Sequence, residues 1–222
     1  MKKILTVLMG LAALGVRAQT LTNSYTLTPN VVIPTANPVG ITEQFAASGV
    51  AGAVADIQVT LDITGGFNGN LYAYLAGPQG QFAVLLNRVG VTAGNPFGYS
   101  DAGLNITLDG DAVNNIHNYG SGGPGSYSLS GTTWAADGRN IDPQSAGSVF
   151  DAASTGANLG VFQNTDGNGA WTLFIASLSA GGSPATLTSA ELSILTVPEP
   201  QAWVMLAGGA ALLGWFRRRP SS

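Results

Sequence analysis

"DIQVTLDIT", residues 56–64, decides the fold class. Ile57, Val59, Leu61 and Ile63 alternate strictly with Asp56, Gln58, Thr60, Asp62 and Thr64. In an extended chain a period of two sends one row of side chains to a core and the other to solvent. An amphipathic helix would instead repeat its apolar residues every three to four positions. Working outward, Asn68-Gly69 signals a tight turn, because both residues tolerate positive φ. "NLYAYLA" (70–76) reads as a strand, and Gly77-Pro78-Gln79-Gly80 suits a β-turn in which proline presets φ before "QFAVLLN" (81–87) returns. "AWTLFIASL" (170–178) and "LTSAELSIL" (187–195) read as another pair, joined through the loop at Gly181-Gly182-Ser183-Pro184. Residues 90–158 read as loop-rich. With no linker and no repeat of 20 to 50 residues, the expectation is a single all-β domain over residues 19–197, its core about 30–195. Its architecture is expected to be an antiparallel, jelly-roll-like β-sandwich.

The two ends differ from the middle. Met1-Lys2-Lys3, the apolar stretch Ile4 to Val16 and the small-x-small Val16-Arg17-Ala18 have the layout of a secretory signal peptide over residues 1–18, cut before Gln19. At the other end Pro198-Glu199-Pro200 precedes an uncharged run from Ala202 to Phe216 and then Arg217-Arg218-Arg219. As a helix, residues 202–216 span ~22 Å, short of a ~30 Å hydrocarbon core. Interfacial Trp203 and Trp215 and snorkelling arginines make up the difference. The reading is one C-terminal transmembrane helix, with the arginines cytoplasmic and Pro198-Glu199-Pro200 outside.

Between Gln19 and Val197 the only basic residues are Arg88 and Arg139, against eleven Asp and Glu, a net charge of −9. So acidic a surface repels phosphate backbones and anionic headgroups, which argues against nucleic-acid binding. The absence of cysteine removes thiolate nucleophiles and Cys-ligated metals. A chain of this length can bury an adequate core without disulfides. The single histidine, His117, rules out multi-histidine zinc sites. No Gly-x-Ser-x-Gly accompanies it, so it reads as an exposed loop residue. "DGDAVNN" (Asp109, Asp111, Asn114) and "NTDGNG" (Asp166, Asn168) are oxygen-rich candidates for calcium. Neither matches an EF-hand, and turns favour the same residues. Tyr72 and Tyr74 share one strand face, opposite Leu71, Ala73 and Leu75, and form a candidate sugar platform. Tyr99, Tyr119, Tyr127 and Trp134 are further stacking candidates, whereas Trp171, alternating with Leu173 and Ile175, belongs to the core.

Taken in order, "VVIPTANPVGITEQFAASG", "VADIQVTLDIT", Gly69-Asn70-Leu71, "LYAYLAGPQGQFAVLLNR", "GNGAWTLFIAS" and "GGSPATLTSAELSI" resemble the P domain (P/Homo B). That β-sandwich module follows the catalytic domain of subtilisin-like proprotein convertases, and it also occurs attached to other secreted bacterial proteins. The resemblance spans roughly Asn30 to Leu195 and implies a supporting, non-catalytic role. The chain departs from the family at Asn70, where Asp is favoured, at Ser177, where Asp is common, and at Glu191, where Trp is frequent. Acidic positions of this kind can contribute to calcium binding in that family. Residues 198–219 resemble the PEP-CTERM sorting signal of Gram-negative, exopolysaccharide-producing bacteria. That resemblance implies processing by an exosortase near Pro198-Glu199-Pro200.

The expected function is therefore an exported, non-catalytic protein of the cell surface or biofilm matrix. It would be anchored transiently in the inner membrane and would then contact exopolysaccharide or other matrix proteins. The alternative is a secreted glycan-acting enzyme, which needs paired carboxylates at a fixed separation, or a protease-associated accessory domain. Calcium is the one cofactor that the sequence brings forward.

Overall fold

The alternation at residues 56–64 builds the middle of the larger of two sheets. The computed structural model describes residues 20–120 and 129–197; the signal-peptide segment, the sorting segment with its helix at 202–216, and Tyr127 lie outside them. Thr20–Val197 forms one compact unit. Its strands are β1 (Leu21–Leu27), β2 (Val31–Ile33), β3 (Asn37–Ala47), β4 (Ala53–Thr64), β5 (Leu71–Ala76), β6 (Phe82–Asn87), β7 (Leu104–Asp109), β8 (Ser130–Trp134), β9 (Gly169–Ser177) and β10 (Ala185–Val197). One sheet runs β1-β10-β4-β7-β8, with β2 also on β10; the other runs β3-β9-β5-β6. The fold is all-β.

Ile57, Val59, Leu61 and Ile63 point inward from β4 and meet Leu71, Ala73 and Leu75 of β5 and Trp171, Leu173 and Ile175 of β9 in one continuous core. Burying side chains of this size contributes about 1.5–3 kcal/mol each. A bulge where Val54 and Asp56 oppose Thr196 and Leu195 inserts Ala55, so Val54 still faces inward.

Four expectations change. Among the described strands the pairing is antiparallel except between β7 and β8, which run parallel, with an isolated parallel bridge from Asn115 to Ala135 beyond them; the long stretch from Asp109 to Ser130 supplies the crossover that a parallel pair needs. β9 and β10 are not partners, because they lie in different sheets and the loop between them crosses the sandwich. Asn68-Gly69 does not close a hairpin either. The turn at Asn68–Asn70 carries the chain from one sheet to the other, and neither Asn68 nor Gly69 has positive φ. Gly69 is required by close approach: a Cβ there would lie 2.6 Å from the Tyr99 backbone nitrogen. The segment that reads as loop-rich holds β7, β8 and a short helix α1 (Gly147–Ala152), and it buries Leu104, Ile106, Leu108, Trp134 and Phe150. Gly77–Gly80 does turn as expected, with the Gly80 N–H donating to the Gly77 carbonyl at 3.1 Å and Gly80 at φ +85°.

Candidate functional site

Two places on the outer faces of the sandwich bring together side chains that carry chemistry. The first lies where β4 begins. Asp56 and Gln58 share the outer face of β4, and Gln58 pairs with Asp109, the last residue of β7. Asp56 is therefore the diagonal neighbour of Asp109. A turn closed by the Ala112 N–H on the Asp109 carbonyl brings Asp111 back to the same corner. Carboxylate oxygens of Asp56, Asp109 and Asp111 lie within 4.8 Å of one another. Asp109 is partly satisfied locally, accepting from the Asp111 N–H at 2.7 Å and from Gln58 Nε2 at 2.9 Å.

Asp56 is different. Only 7% exposed, it keeps Oδ1 without a hydrogen-bond partner. Burial raises its carboxyl from the ordinary 3.8 to about 6; the Ile57 backbone works against that, and the charges of Asp109 and Asp111, with a side-chain hydrogen bond between Asp56 and Asp109, add to it. Beyond the end of β7 the β4 edge is taken over by residues 164–165. The Val54 N–H donates to the Thr165 carbonyl, and the Asn164 N–H donates back to Val54. Of the sequence candidates, Asp109 and Asp111 meet here. Asn114 is exposed. Asp166 and Asn168 form a separate, self-satisfied turn. Asp166 Oδ1 accepts from both the backbone and side-chain nitrogens of Asn168, and these bonds hold its carboxyl below the usual range. Asp56 escaped the sequence reading because it sits in the row expected to face solvent.

The second place is the outer face of the β3-β9-β5-β6 sheet. Tyr72 and Tyr74 project there together, as their spacing predicts. They meet Phe174 from β9 and Phe82 from β6. Tyr74 stacks on Phe174 at 4.8 Å and 17°, with Phe82 on its other side at 4.8 Å. Tyr72 stands edge-on to Tyr74 and Phe174 at 6.2 and 6.3 Å. All four rings are half-buried. Across the β3–β9 register, Thr42 lies opposite Phe174 and Gln44 opposite Thr172, which gives the cluster a polar margin. Burial, with Tyr74 and Asp142 adding to it, pushes the Tyr72 phenol up, so its hydroxyl stays protonated and able to donate at neutral pH. Two other aromatic candidates turn inward: Tyr119 and Trp134 belong to the core, and the Tyr119 hydroxyl is held between Asn68 and Asp101.

His117 also departs from its reading. It is buried, with Nδ1 2.7 Å from Asp137 Oδ2 and Nε2 3.0 Å from the Val91 carbonyl oxygen. Arg139 Nη1 and its backbone N–H bind the other oxygen of Asp137, and the Asn87 N–H binds Oδ2. A carbonyl occupies the place where a catalytic dyad would hold its nucleophile. Asn70 is likewise spent on structure: its amide donates to the Gly181 carbonyl and ties the two sheet crossovers together.

No protein-family model matches the chain, and no curated protein matches it. Among solved structures it is similar to the serine protease of Aeromonas sobria in complex with its chaperone, at 11% identity and a TM-score of 0.46, over 81% of this chain. It is also similar to the structure of that protease alone, at 11% identity and a TM-score of 0.44, over 80% of this chain. In both cases the chain spans 27% of the other's length.

Proposed function

We propose that this is an exported, non-catalytic protein of the cell surface or biofilm matrix, and that its sandwich contacts polysaccharide through the Tyr72–Tyr74–Phe82–Phe174 face. That aromatic cluster is the observation that carries the reading. Four rings gathered on one solvent-facing sheet, with Thr42, Gln44 and Thr172 at the margin, offer a sugar both apolar surface and hydrogen bonds. The strong acidity of residues 19–197 favours a neutral or cation-bridged glycan over a nucleic acid. Delivery follows from the sequence: a signal peptide at 1–18 and a P-domain-like, jelly-roll sandwich at 19–197. A PEP-CTERM signal at 198–219 would anchor the chain in the inner membrane through residues 202–216 until an exosortase removes it.

Purified residues 19–197 should bind an immobilised exopolysaccharide from a PEP-CTERM-bearing host. Tyr74→Ala should weaken that binding about two- to tenfold, the equivalent of ~0.5–1.5 kcal/mol for one aromatic contact. Binding that survives the double change Tyr72→Ala, Tyr74→Ala would remove the aromatic face from the account. For delivery, the full chain should lose its tail only in cells that contain an exosortase. An intact tail in both strains would defeat that part.

A further inference from the structure

The carboxylate corner lies on the opposite sheet from the aromatic face, and polysaccharide contact does not use it. We propose that Asp56, Asp109 and Asp111 bind a divalent cation, calcium by the chemistry of the donors, which ties the start of β4 to the turn that ends β7.

Four observations converge. The three side chains bring carboxylate oxygens within 4.8 Å of one another from two adjacent strands and a turn. Asp56 Oδ1 is buried with no hydrogen-bond partner, and leaving a carboxylate oxygen in that state is costly unless something positive compensates it. No side chain among the described residues does so. Arg88 is committed to the carbonyls of Gly69, Pro96 and Pro143, and Arg139 to Asp137 and the Phe150 carbonyl. Finally, Gly110, between Asp109 and Asp111, packs directly against Asp56 Oδ1, where any Cβ would run into that oxygen, so only glycine lets the turn bring both carboxylates to Asp56.

The donors choose the ion. All three are hard carboxylates without nitrogen or sulfur, which suits calcium or magnesium rather than zinc or copper. Calcium accepts six to eight oxygens in flexible geometry, and Asp111 stands exposed, so water can complete the shell. Magnesium demands a near-ideal octahedron, which two adjacent strands and a turn do not pre-form.

Residues 19–197, a compact unit with its own core, are the material for the test. The protein is stripped with chelator and titrated with calcium chloride by calorimetry, with thermal melting alongside. One saturable site is expected, in the ~10⁻⁴–10⁻³ M range typical of extracellular calcium modules, with a melting temperature that climbs as calcium is added. Asp56→Asn should abolish that climb. Asp111→Asn, a change at an exposed residue that leaves the core intact, should weaken binding at least about tenfold, the lower bound set by losing residues that merely support metal ligands; it decides the matter alone if Asp56→Asn fails to fold. Calcium binding unchanged in Asp111→Asn would overturn the proposal, as would no saturable binding up to ~10 mM in the parent protein.

Discussion

Asp137 and Asp56 are both buried aspartates of one small sandwich, and their surroundings are opposite. Asp137 is finished by the protein itself: His117 and Asn87 on one oxygen, two nitrogens of Arg139 on the other. Asp56 faces two more carboxylates, and one of its oxygens has no hydrogen-bond partner. The first arrangement holds the fold. It pins the segment after β8 to the edge of β6, where the Asp137 and Gly138 N–H groups donate to Leu85 and Val84. The second is complete only with something added. A buried charge thus marks structure where its partners are present, and a binding site where they are missing.

The largest effect that sharpens the contrast is Asp137→Ala. It strands His117 and the Arg139 guanidinium together under a buried edge, so a loss of about 3–5 kcal/mol is expected. Urea unfolding at neutral pH measures it, and a change below about 1 kcal/mol would mean the network is not what holds that edge.

Asp56 should behave with the opposite sign. Its carboxyl is raised from 3.8 in the unfolded chain to about 6 in the fold. The proton it holds when folded therefore favours folding fully below pH 3.8, and that contribution disappears as pH rises through about 6. In chelator the chain should accordingly lose up to about 3 kcal/mol from this group between pH 3 and pH 7. Asp56→Asn carries no such charge, so subtracting its urea midpoints from those of the parent isolates the effect. Parallel pH profiles for the two proteins would break the comparison. Millimolar calcium should shrink the difference at pH 7, where the ion replaces the proton.

Much of this was legible in the sequence, and what was not has a physical pattern. The strict alternation of Ile57, Val59, Leu61 and Ile63 identified a buried strand face, and the spacing of Tyr72 and Tyr74 placed both rings on the outside. Period-two signals report the faces of a strand. They do not report which strand lies beside it, so β9 and β10 read as a pair although each belongs to a different sheet. Leu104, Ile106 and Leu108 also alternate, yet they stand among so many turn residues that β7 read as loop. Asp56 and His117 were misplaced for one shared reason. Each lies where a sequence expects water, and each is buried by distant chain: Asp56 beside Gly110 near Leu159, and His117 against Val91 and Asp137.

The smallest effect concerns the second oxygen-rich loop, which sequence alone ranks equal to the first. Asn168 grips Val50 from both sides, accepting from its N–H at 2.9 Å and donating to its carbonyl at 2.8 Å. Asp166 spends Oδ1 on Asn168 in turn. Such a loop is closed by its own hydrogen bonds, in the manner of Asp137 rather than Asp56. Asn168→Ala should therefore cost about 1–2 kcal/mol of stability through three lost side-chain bonds, while leaving the calcium-dependent rise in melting temperature unchanged. If that rise fell with Asn168, the ion would belong to this loop, and an unpaired buried oxygen would be a poorer guide to a cation site than a run of Asp, Asn and Gly.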